Sequence, residues 1–307
     1  MSLAFLFPGQ GSQRPAMLDE LPRTPATRTV FDEFATWADA FGHPTDIDGV
    51  EALRDTAHAQ IALLVAGVTC ARSLGEDHGL TPEFVAGHSV GAFAAAVTAG
   101  VLTFTEALDA VDLRARLMKE ACAQGDWGMA AVLGMPNRAA RALTKRLDTQ
   151  LWVANVNSAT QTVLSGTRAA LQDAAATANT VGSFEILDVN VASHCPLQIA
   201  TAHRIAERLS GLPRRAPSCR YLTNTGGRAV STADGVLDDL AASVAKPVQW
   251  YDATRLLPEL GATCAVEMRP GHVLTRLMAA NAPSVVSQSL QDNGFDAVSR
   301  RVDRASS

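Results

Sequence analysis

The chain has 307 residues, 47% of them hydrophobic and 19% charged, a composition typical of a packed globular protein with one large domain, with or without a smaller insertion. Its formal net charge of −5 argues against binding to nucleic acid or to an anionic membrane surface. The five scattered cysteines include no C-x-x-C pair, so they indicate neither a disulfide framework nor a zinc site, and they favour a reducing, cytoplasmic location.

The N-terminal stretch MSLAFLFPGQGSQ has a short apolar run and no positive charge, so we predict no signal peptide. Its segment LAFLFPG predicts a short buried strand that ends at Pro8 and Gly9. Nowhere does the sequence approach the roughly 18 uninterrupted apolar residues of a membrane span. We therefore expect no membrane segment.

Helical spacing of apolar residues predicts a helix over residues 60–79. The segment EFVAG, residues 83–87, predicts a second strand that runs straight into an Ala-rich helix. A further helix follows, capped by Thr103 or Thr105, with apolar residues at helical spacing as far as Met118.

Residues 129–190 change in character and predict the order strand, helix, strand, strand, helix, strand of a ferredoxin-like unit. We predict an α/β fold in which a large hydrolase-like domain with a parallel central sheet, residues 1–125 and 192–307, is interrupted by an inserted ferredoxin-like α+β small domain at 126–191. The C-terminal residues 299–307 are expected to fray. The elements expected after the insertion are a helix at 196–209, a strand at 220–224, a helix at 235–245 and a strand at 263–268.

The pentapeptide Gly87-His88-Ser89-Val90-Gly91 matches the G-x-S-x-G nucleophile elbow, which places a serine hydroxyl on a sharp turn between a strand and a helix. A helix starting at Ser89 would direct its free N–H groups and its positive dipole end toward the reacting oxygen. The N–H of Val90 could then stabilise an oxyanion. The alternative is an ordinary glycine turn.

A serine nucleophile needs a base. Four histidines are candidates: His88, His194, His203 and His272. Next to Ser89 in sequence, His88 should direct its side chain away from the hydroxyl. Spacing alone does not decide among the others, although His194, which follows a strand at the expected domain junction, ranks first. Either Asp188 or a backbone carbonyl could orient its imidazole.

Arg114 lies in an apolar helical context, whereas Arg116, two residues on, belongs to another face. A guanidinium near a serine nucleophile suits an acyl group that bears a carboxylate, which it can hold in a two-point fork. The alternative is an exposed arginine on the helix surface.

Taken together, these segments resemble the malonyl-CoA:acyl-carrier-protein transacylase family over almost the whole chain. The segments that carry the resemblance, in order, are FPGQGSQ, GHSVG, RARLM, ANVNS, SHCPL and EMRPGHVLT. The family implies transfer of malonyl from malonyl-CoA, through a serine ester, to the thiol of an acyl carrier protein or of a carrier subunit with a phosphopantetheine-type thiol. It implies no metal, flavin or nicotinamide cofactor.

The resemblance also implies roles for individual residues. Ser89 would be the nucleophile and His194 its base, and the backbone N–H groups of Gln10 and Val90 would form the oxyanion hole. Arg114 would bind the malonyl carboxylate, while Asn157 and His88 would support the site. The backbone carbonyl of Ser243 would orient the histidine. This family usually has a glutamine at the position of Ser243, and that glutamine is absent here.

Within the family, the chain most resembles the epsilon subunit of malonate decarboxylase. One sign is Ala92-Phe93 after the second glycine, where the family commonly has Glu and an aromatic residue. That subunit primes a small carrier subunit, so other decarboxylase subunits become possible partners. The alternatives are a fatty-acid-synthesis transacylase, a serine esterase or thioesterase, and a carrier-binding scaffold with a degenerate site.

Arg138, Arg141 and Lys145 share one face of the helix predicted in the insertion. This face could dock an acidic carrier protein, or it could be an ordinary solvated surface.

Overall fold

The computed structural model describes residues 2–147, 149–178 and 182–306. A six-stranded sheet lies at its centre, parallel throughout except for the last pair of strands. In spatial order the strands are β10 (Val286–Ser289), β9 (Ala262–Glu267), β1 (Ser2–Phe7), β2 (Phe84–Gly87), β7 (Arg220–Leu222) and β8 (Ala229–Val230). The predicted α/β class with a parallel central sheet is confirmed.

Both faces of this sheet are buried, as β1 shows by its alternation. Leu3, Phe5 and Phe7 pack into one core, and Ala4 and Leu6 into the core on the opposite face. The first core is completed by α1 (Pro25–Phe41), α2 (Thr56–Glu76), α3 (Gly91–Thr98), α4 (Phe104–Ala121), α7 (Ile199–Ser210), α8 (Ala233–Ser243), α11 (Leu290–Asn293) and α12 (Phe295–Ser306). The second core is completed by α9 (Trp250–Glu259) and α10 (Val273–Asn281).

Local capping explains where two of these helices begin. Thr24 starts α1 and Thr103 starts α4, each through a capping box with the residue three positions on. Thr103 is the first of the two caps predicted for α4, and its partner is Glu106. These caps satisfy backbone N–H groups that would otherwise lack an acceptor.

Helix α2 is long and apolar enough by composition to cross a membrane, yet 89% of its most apolar 18-residue window is buried inside the protein. It packs against α1, α3 and α4. A helix that is apolar on all sides requires such enclosure. Its contacts with α3 and α4 place it close to the turn that contains Ser89.

A second sheet of four antiparallel strands is formed within residues 127–186. In spatial order its strands are β4 (Leu151–Val156), β5 (Gln161–Thr167), β3 (Trp127–Leu133) and β6 (Ser183–Ile186), with α5 (Asn137–Leu147) and α6 (Arg168–Ala178) packed on one face. Along the chain the elements follow the predicted order. The segment RAALQDAAATAN, residues 168–179, predicts the second helix of this unit, and its last residue, Asn179, lies outside the described residues. The division of the chain into a large domain and an insertion at 126–191 stays a prediction.

The prediction that the C-terminal segment frays is wrong for its described part, because α12 runs from Phe295 to Ser306. Val298 and Val302 are four positions apart and are both buried against the main core. This spacing places them on one face of the helix. The final residue, Ser307, lies outside the described residues.

Candidate active site

Ser89 lies in the turn between β2 and α3, where the central strand ends. Its backbone is left-handed, with φ of +54°, a conformation that is strained for a residue with a side chain. The N–H of Ser89 donates to Oδ1 of Asn224 at 2.9 Å, and Nδ2 of Asn224 donates to the carbonyl of Gly87 at 2.9 Å. One carboxamide therefore holds both sides of the turn. Helix α3 begins at Gly91, two residues after the predicted start.

Glycines allow the N-terminal loop to approach this turn closely. A Cβ on Gly91 would lie 2.3 Å from the carbonyl oxygen of Phe7, and one on Gly9 would lie 2.4 Å from the carbonyl oxygen of His88. Both separations are far shorter than a van der Waals contact, so neither position can accept a larger residue without movement. As a result Gln10 reaches the wall of the cavity that contains the serine.

His194 is the histidine that contacts the serine. Its Nε2 lies 2.8 Å from Oγ of Ser89, and its Nδ1 donates to the carbonyl oxygen of Ser243 at 2.6 Å. Because a carbonyl oxygen can only accept, Nδ1 carries the proton and Nε2 is free to accept the serine proton. The structure thus brings together Ser89, His194 and the Ser243 carbonyl in the arrangement that the resemblance implies.

The protonation state of His194 suits a base. Burial lowers its pKa to about 3, helped by the nearby cation of Arg114 and opposed by the hydrogen bond to Ser243. The imidazole is therefore neutral at pH 7, the state in which it can take a proton. Like the serine, His194 has a left-handed backbone, with φ of +59°. Its N–H donates to the carbonyl of Val244 at 2.7 Å, so the C-terminal end of α8 holds both its ring and its backbone.

Arg114 is only 1% exposed, so the alternative of an exposed helix arginine is wrong. Its Nη2 donates to Oγ of Ser89 at 3.2 Å, and its Nη1 donates to Oε1 of Gln60 at 2.6 Å. Within the described residues its Nε is buried without an acceptor, and no carboxylate pairs with the guanidinium. Burial lowers the pKa of Arg114 to about 10, which leaves it charged at neutral pH. A buried cation without a counterion favours an anionic ligand.

These groups surround a cavity of about 50 Å³. The second sheet closes it with the face opposite α5 and α6, through Met129 of β3, Asn155 of β4 and Val163 of β5. Across the described part of the chain, the backbone N–H groups of Gln10 and Val90 donate to no acceptor. They remain available to a ligand oxygen.

His88 contacts Asn157 rather than the serine hydroxyl. Its Nε2 donates to Oδ1 of Asn157 at 3.0 Å, and its ring packs edge-on against Trp250 at a centroid distance of 5.4 Å. Burial lowers the pKa of His88. The carbonyl of Asn157 accepts from Nδ2 of Asn281 at 2.8 Å. His88 and Asn157 thus tie the nucleophile turn to the second sheet and to α10.

The other candidates from the sequence lie elsewhere. His203 is exposed on α7, and Nδ1 of His272 donates to Oδ1 of Asp292 at 3.1 Å. Asp188 borders a separate cleft and makes no hydrogen bond to His194. Among the described residues, no group of three His, Cys, Asp or Glu side chains could hold a metal ion.

Sequence reasoning missed two supports of the site. Gln60 is fully buried in α2, and a long amide side chain within the apolar stretch of that helix was the available signal. Asp239 accepts from the N–H groups of Asn224 and Thr225, each at 2.8 Å, and from the hydroxyl of Tyr221 at 3.0 Å. It fixes the loop that in turn holds the N–H of Ser89.

A larger cleft of about 490 Å³ lies outside the catalytic cavity. Its lining includes His194, Arg141 and Lys145 of α5, and Trp152. Helix α5 carries four basic residues and no acidic one. In the described residues none of its cations pairs with a carboxylate. The cleft therefore joins the base to a cationic surface.

The acyl transferase domain family matches residues 4–290. The chain belongs to this family. The acyltransferase is 32% identical to the malonyl CoA-acyl carrier protein transacylase of Escherichia coli K12, over 94% of this chain and 98% of that protein. It is 33% identical to the transacylase of Haemophilus influenzae, over 96% and 97% of the two chains.

Solved structures agree with these relatives. The acyl-carrier-protein S-malonyltransferase from Burkholderia pseudomallei matches the acyltransferase with a TM-score of 0.90 and 31% identity, over 98% of this chain and 100% of that one. A malonyl-transacylase solved in complex with its type II polyketide-synthase acyl-carrier protein matches with a TM-score of 0.88 and 29% identity, over 98% and 100%. The predicted family is confirmed, but these relatives fit the alternative of a malonyl-CoA:acyl-carrier-protein transacylase better than a decarboxylase subunit.

Proposed function

We propose that the acyltransferase moves malonyl from malonyl-CoA to the thiol of an acyl carrier protein, and that Ser89 holds the malonyl group as an ester between the two transfers. The observation that carries this proposal is the uncompensated cation of Arg114, 3.2 Å from the serine hydroxyl. The free carboxylate of a malonyl group supplies the missing negative charge. Acetyl and longer unsubstituted acyl groups do not.

The geometry of the guanidinium supports a carboxylate in particular. One edge of Arg114 is held by Gln60, while its Nη2 faces the serine and its Nε has no acceptor. A guanidinium edge with donors to spare matches the two oxygens of a carboxylate. In malonyl a single methylene separates that carboxylate from the reacting carbonyl, which suits the short distance between arginine and serine.

In the first half-reaction, His194 takes the proton of Ser89 and Oγ attacks the thioester carbon. The backbone N–H groups of Gln10 and Val90 stabilise the oxyanion that forms. The carbon–sulfur bond then breaks, and the thiolate of CoA leaves with the proton held by His194. Ser89 is left as a malonyl ester, with its carboxylate on Arg114.

In the second half-reaction, the carrier thiol replaces CoA. His194 removes the thiol proton, the sulfur attacks the ester carbon, and the bond to Oγ of Ser89 breaks. The proton returns to the serine. The acid–base group and the oxyanion donors serve both halves, as expected of a ping-pong reaction.

The outer cleft is suited to bind a substrate whose thioester is joined to a long arm with negative charge at its far end. His194, Arg141 and Lys145 all line this cleft, and both CoA and a phosphopantetheine arm carry phosphate at the end remote from the sulfur. An acidic carrier protein would face the cations of α5, including Arg138. The cytoplasmic location predicted from the cysteines fits such partners.

The identity of the carrier separates two forms of this proposal. The transacylases among the relatives favour an acyl carrier protein. Ala92-Phe93 after the nucleophile motif favours the epsilon subunit of malonate decarboxylase and its carrier subunit. Offering both carriers to the malonylated enzyme and comparing the rates of transfer distinguishes the two.

The test of the proposal is a malonyl adduct on Ser89. We expect the wild-type protein treated with malonyl-CoA to gain one malonyl group by intact mass, and we expect Ser89→Ala to gain none. Adding carrier should discharge the adduct onto the carrier. An adduct on Ser89→Ala would contradict the nucleophile, and release of free malonate in place of carrier acylation would identify an esterase or thioesterase.

A further inference from the structure

Asn155 has a polar atom that the described protein leaves without a partner. Its side-chain oxygen is buried and accepts no hydrogen bond from any described residue, and the residue is 7% exposed. Asn155 lines the same cavity as Ser89 and His194. A buried carbonyl oxygen without a donor is unfavourable, so its position beside the reacting serine indicates a ligand that donates.

The backbone around Asn155 is held firmly. Strand β4 has an irregularity in its pairing with β5, where Val153 pairs with Leu164 but Asn155 pairs with the adjacent Val163. Such bulges redirect side chains and are common beside active sites. On its other edge, β4 pairs with Val248, which accepts from the N–H of Val156 at 2.8 Å. The side chain of Asn155 therefore projects from a clamped strand.

Strand β4 also connects the outer cleft to the catalytic cavity. Trp152 and Val153 line the cleft, and Asn155 lines the cavity. His194 lines both spaces. A thioester arm that reaches Ser89 from the cleft would follow β4 and pass Asn155 immediately before the reacting carbonyl.

We propose that Asn155 accepts a hydrogen bond from the amide N–H of the arm nearest the sulfur, and that it thereby selects thioesters of the pantetheine type. The inference rests on the proposed malonyl transfer. A malonyl thioester has no N–H on its acyl side, so the donor must come from the thiol side. In CoA and in phosphopantetheine the first such donor is the amide two carbons from the sulfur. This bond would hold the thioester carbonyl in register with Ser89.

Two small malonyl donors test this assignment. One is the malonyl thioester of N-acetylcysteamine, which keeps the amide N–H, and the other replaces that N–H by an ester oxygen of the same shape. For wild type we expect kcat/KM for formation of the Ser89 adduct to favour the amide by about tenfold, the size of one hydrogen bond whose acceptor is otherwise left unpaired. In Asn155→Leu and in Asn155→Ala, the ratio should fall to about one.

Val163→Ala is the matched control, because it alters the wall of the same cavity without touching an acceptor. It should retain the wild-type ratio, whatever its effect on either rate. A wild-type enzyme that shows no preference for the amide overturns the assignment without any variant. So does an unchanged ratio in folded Asn155→Leu or Asn155→Ala. A wild-type enzyme that neither thioester nor malonyl-CoA acylates contradicts the proposed function instead.

Discussion

Gln60 and Arg114 form a hydrogen bond of 2.6 Å between a neutral amide and a guanidinium, both inside the protein. Buried arginines are ordinarily paired with an acid. An acid at position 60 would cancel the charge that a substrate carboxylate needs. The amide instead orients the guanidinium and leaves its charge free for the ligand.

Arg114→Ala should lower kcat/KM for malonyl transfer by about 100-fold, because charge-assisted hydrogen bonds to the substrate carboxylate are lost. Transfer of acetyl, which has no carboxylate, should change far less. Arg116→Ala is the control, since this exposed side chain pairs with Asp112 on the helix surface. An equal loss for malonyl and acetyl would make Arg114 a structural residue. The ratio of the two specificity constants measures the effect.

Gln60→Glu should abolish the preference for malonyl over acetyl, because the new carboxylate would pair with Arg114 and compete with the substrate. Gln60→Met removes the hydrogen bond but adds no charge. It should keep the preference while lowering the melting temperature, since Nη1 then loses its acceptor. A wild-type preference in Gln60→Glu would show that the charge of Arg114 does not select the substrate.

His194 should remain an active base well below pH 6.5, because its pKa is lowered to about 3. We therefore expect kcat/KM for adduct formation to show no inflection near the ordinary histidine pKa. Stopped-flow acylation between pH 4 and pH 8 measures this profile. A loss of activity centred near pH 6.5 that is assigned to His194 would contradict the lowered value.

The same shift makes stability depend on pH. As the pH falls from 6.5 toward 3, the unfolded chain takes up a proton on His194 that the folded chain does not bind, so the free energy of unfolding decreases. Above pH 6.5 this contribution is constant. Thermal melts of wild type and His194→Ala at pH 7.5 and pH 5 should show the larger drop in wild type. An equal drop would contradict the expectation.

Arg141→Glu should raise KM for an acidic carrier several-fold, because it reverses a cation at the rim of the outer cleft. The rate of Ser89 malonylation by the uncharged-arm thioester of N-acetylcysteamine should not change. Arg28→Glu makes the same change of charge on the exposed side of α1 and should leave both rates unaltered. A carrier KM that Arg141→Glu leaves unchanged would remove α5 from the docking surface.

Local patterns predicted the elements that depend on neighbours in sequence. The buried β1, the Thr103 cap and the strand–turn–helix around Ser89 all follow from periodicity, a capping residue and two glycines. The C-terminal helix was not predicted, because this charge-rich segment has few apolar residues and two of them, Val298 and Val302, pack against residues distant in sequence. Those two valines become buried only when the rest of the core is present.

Local sequence patterns could not predict which residues of the site contact each other when they are far apart in the chain. Ser89 and His194 are 105 positions apart, and spacing alone left His194, His203 and His272 open as the base. The group that orients the ring is the backbone carbonyl of Ser243. Because every residue has such a carbonyl, the residue type gives no signal for this contact. Resemblance to a family resolved these choices, whereas the amide of Gln60 and the orphan oxygen of Asn155 became visible only in three dimensions.

Ser89 and His194 share a backbone conformation, with φ of +54° and +59°, that glycine adopts freely and other residues do not. Each contributes on the order of 1–3 kcal/mol of strain to the folded protein. Glycine at either position would relax the backbone and remove the chemistry. A selection for heat resistance alone would therefore tend to collect inactive enzymes, so directed evolution of this chain must score turnover and melting temperature together.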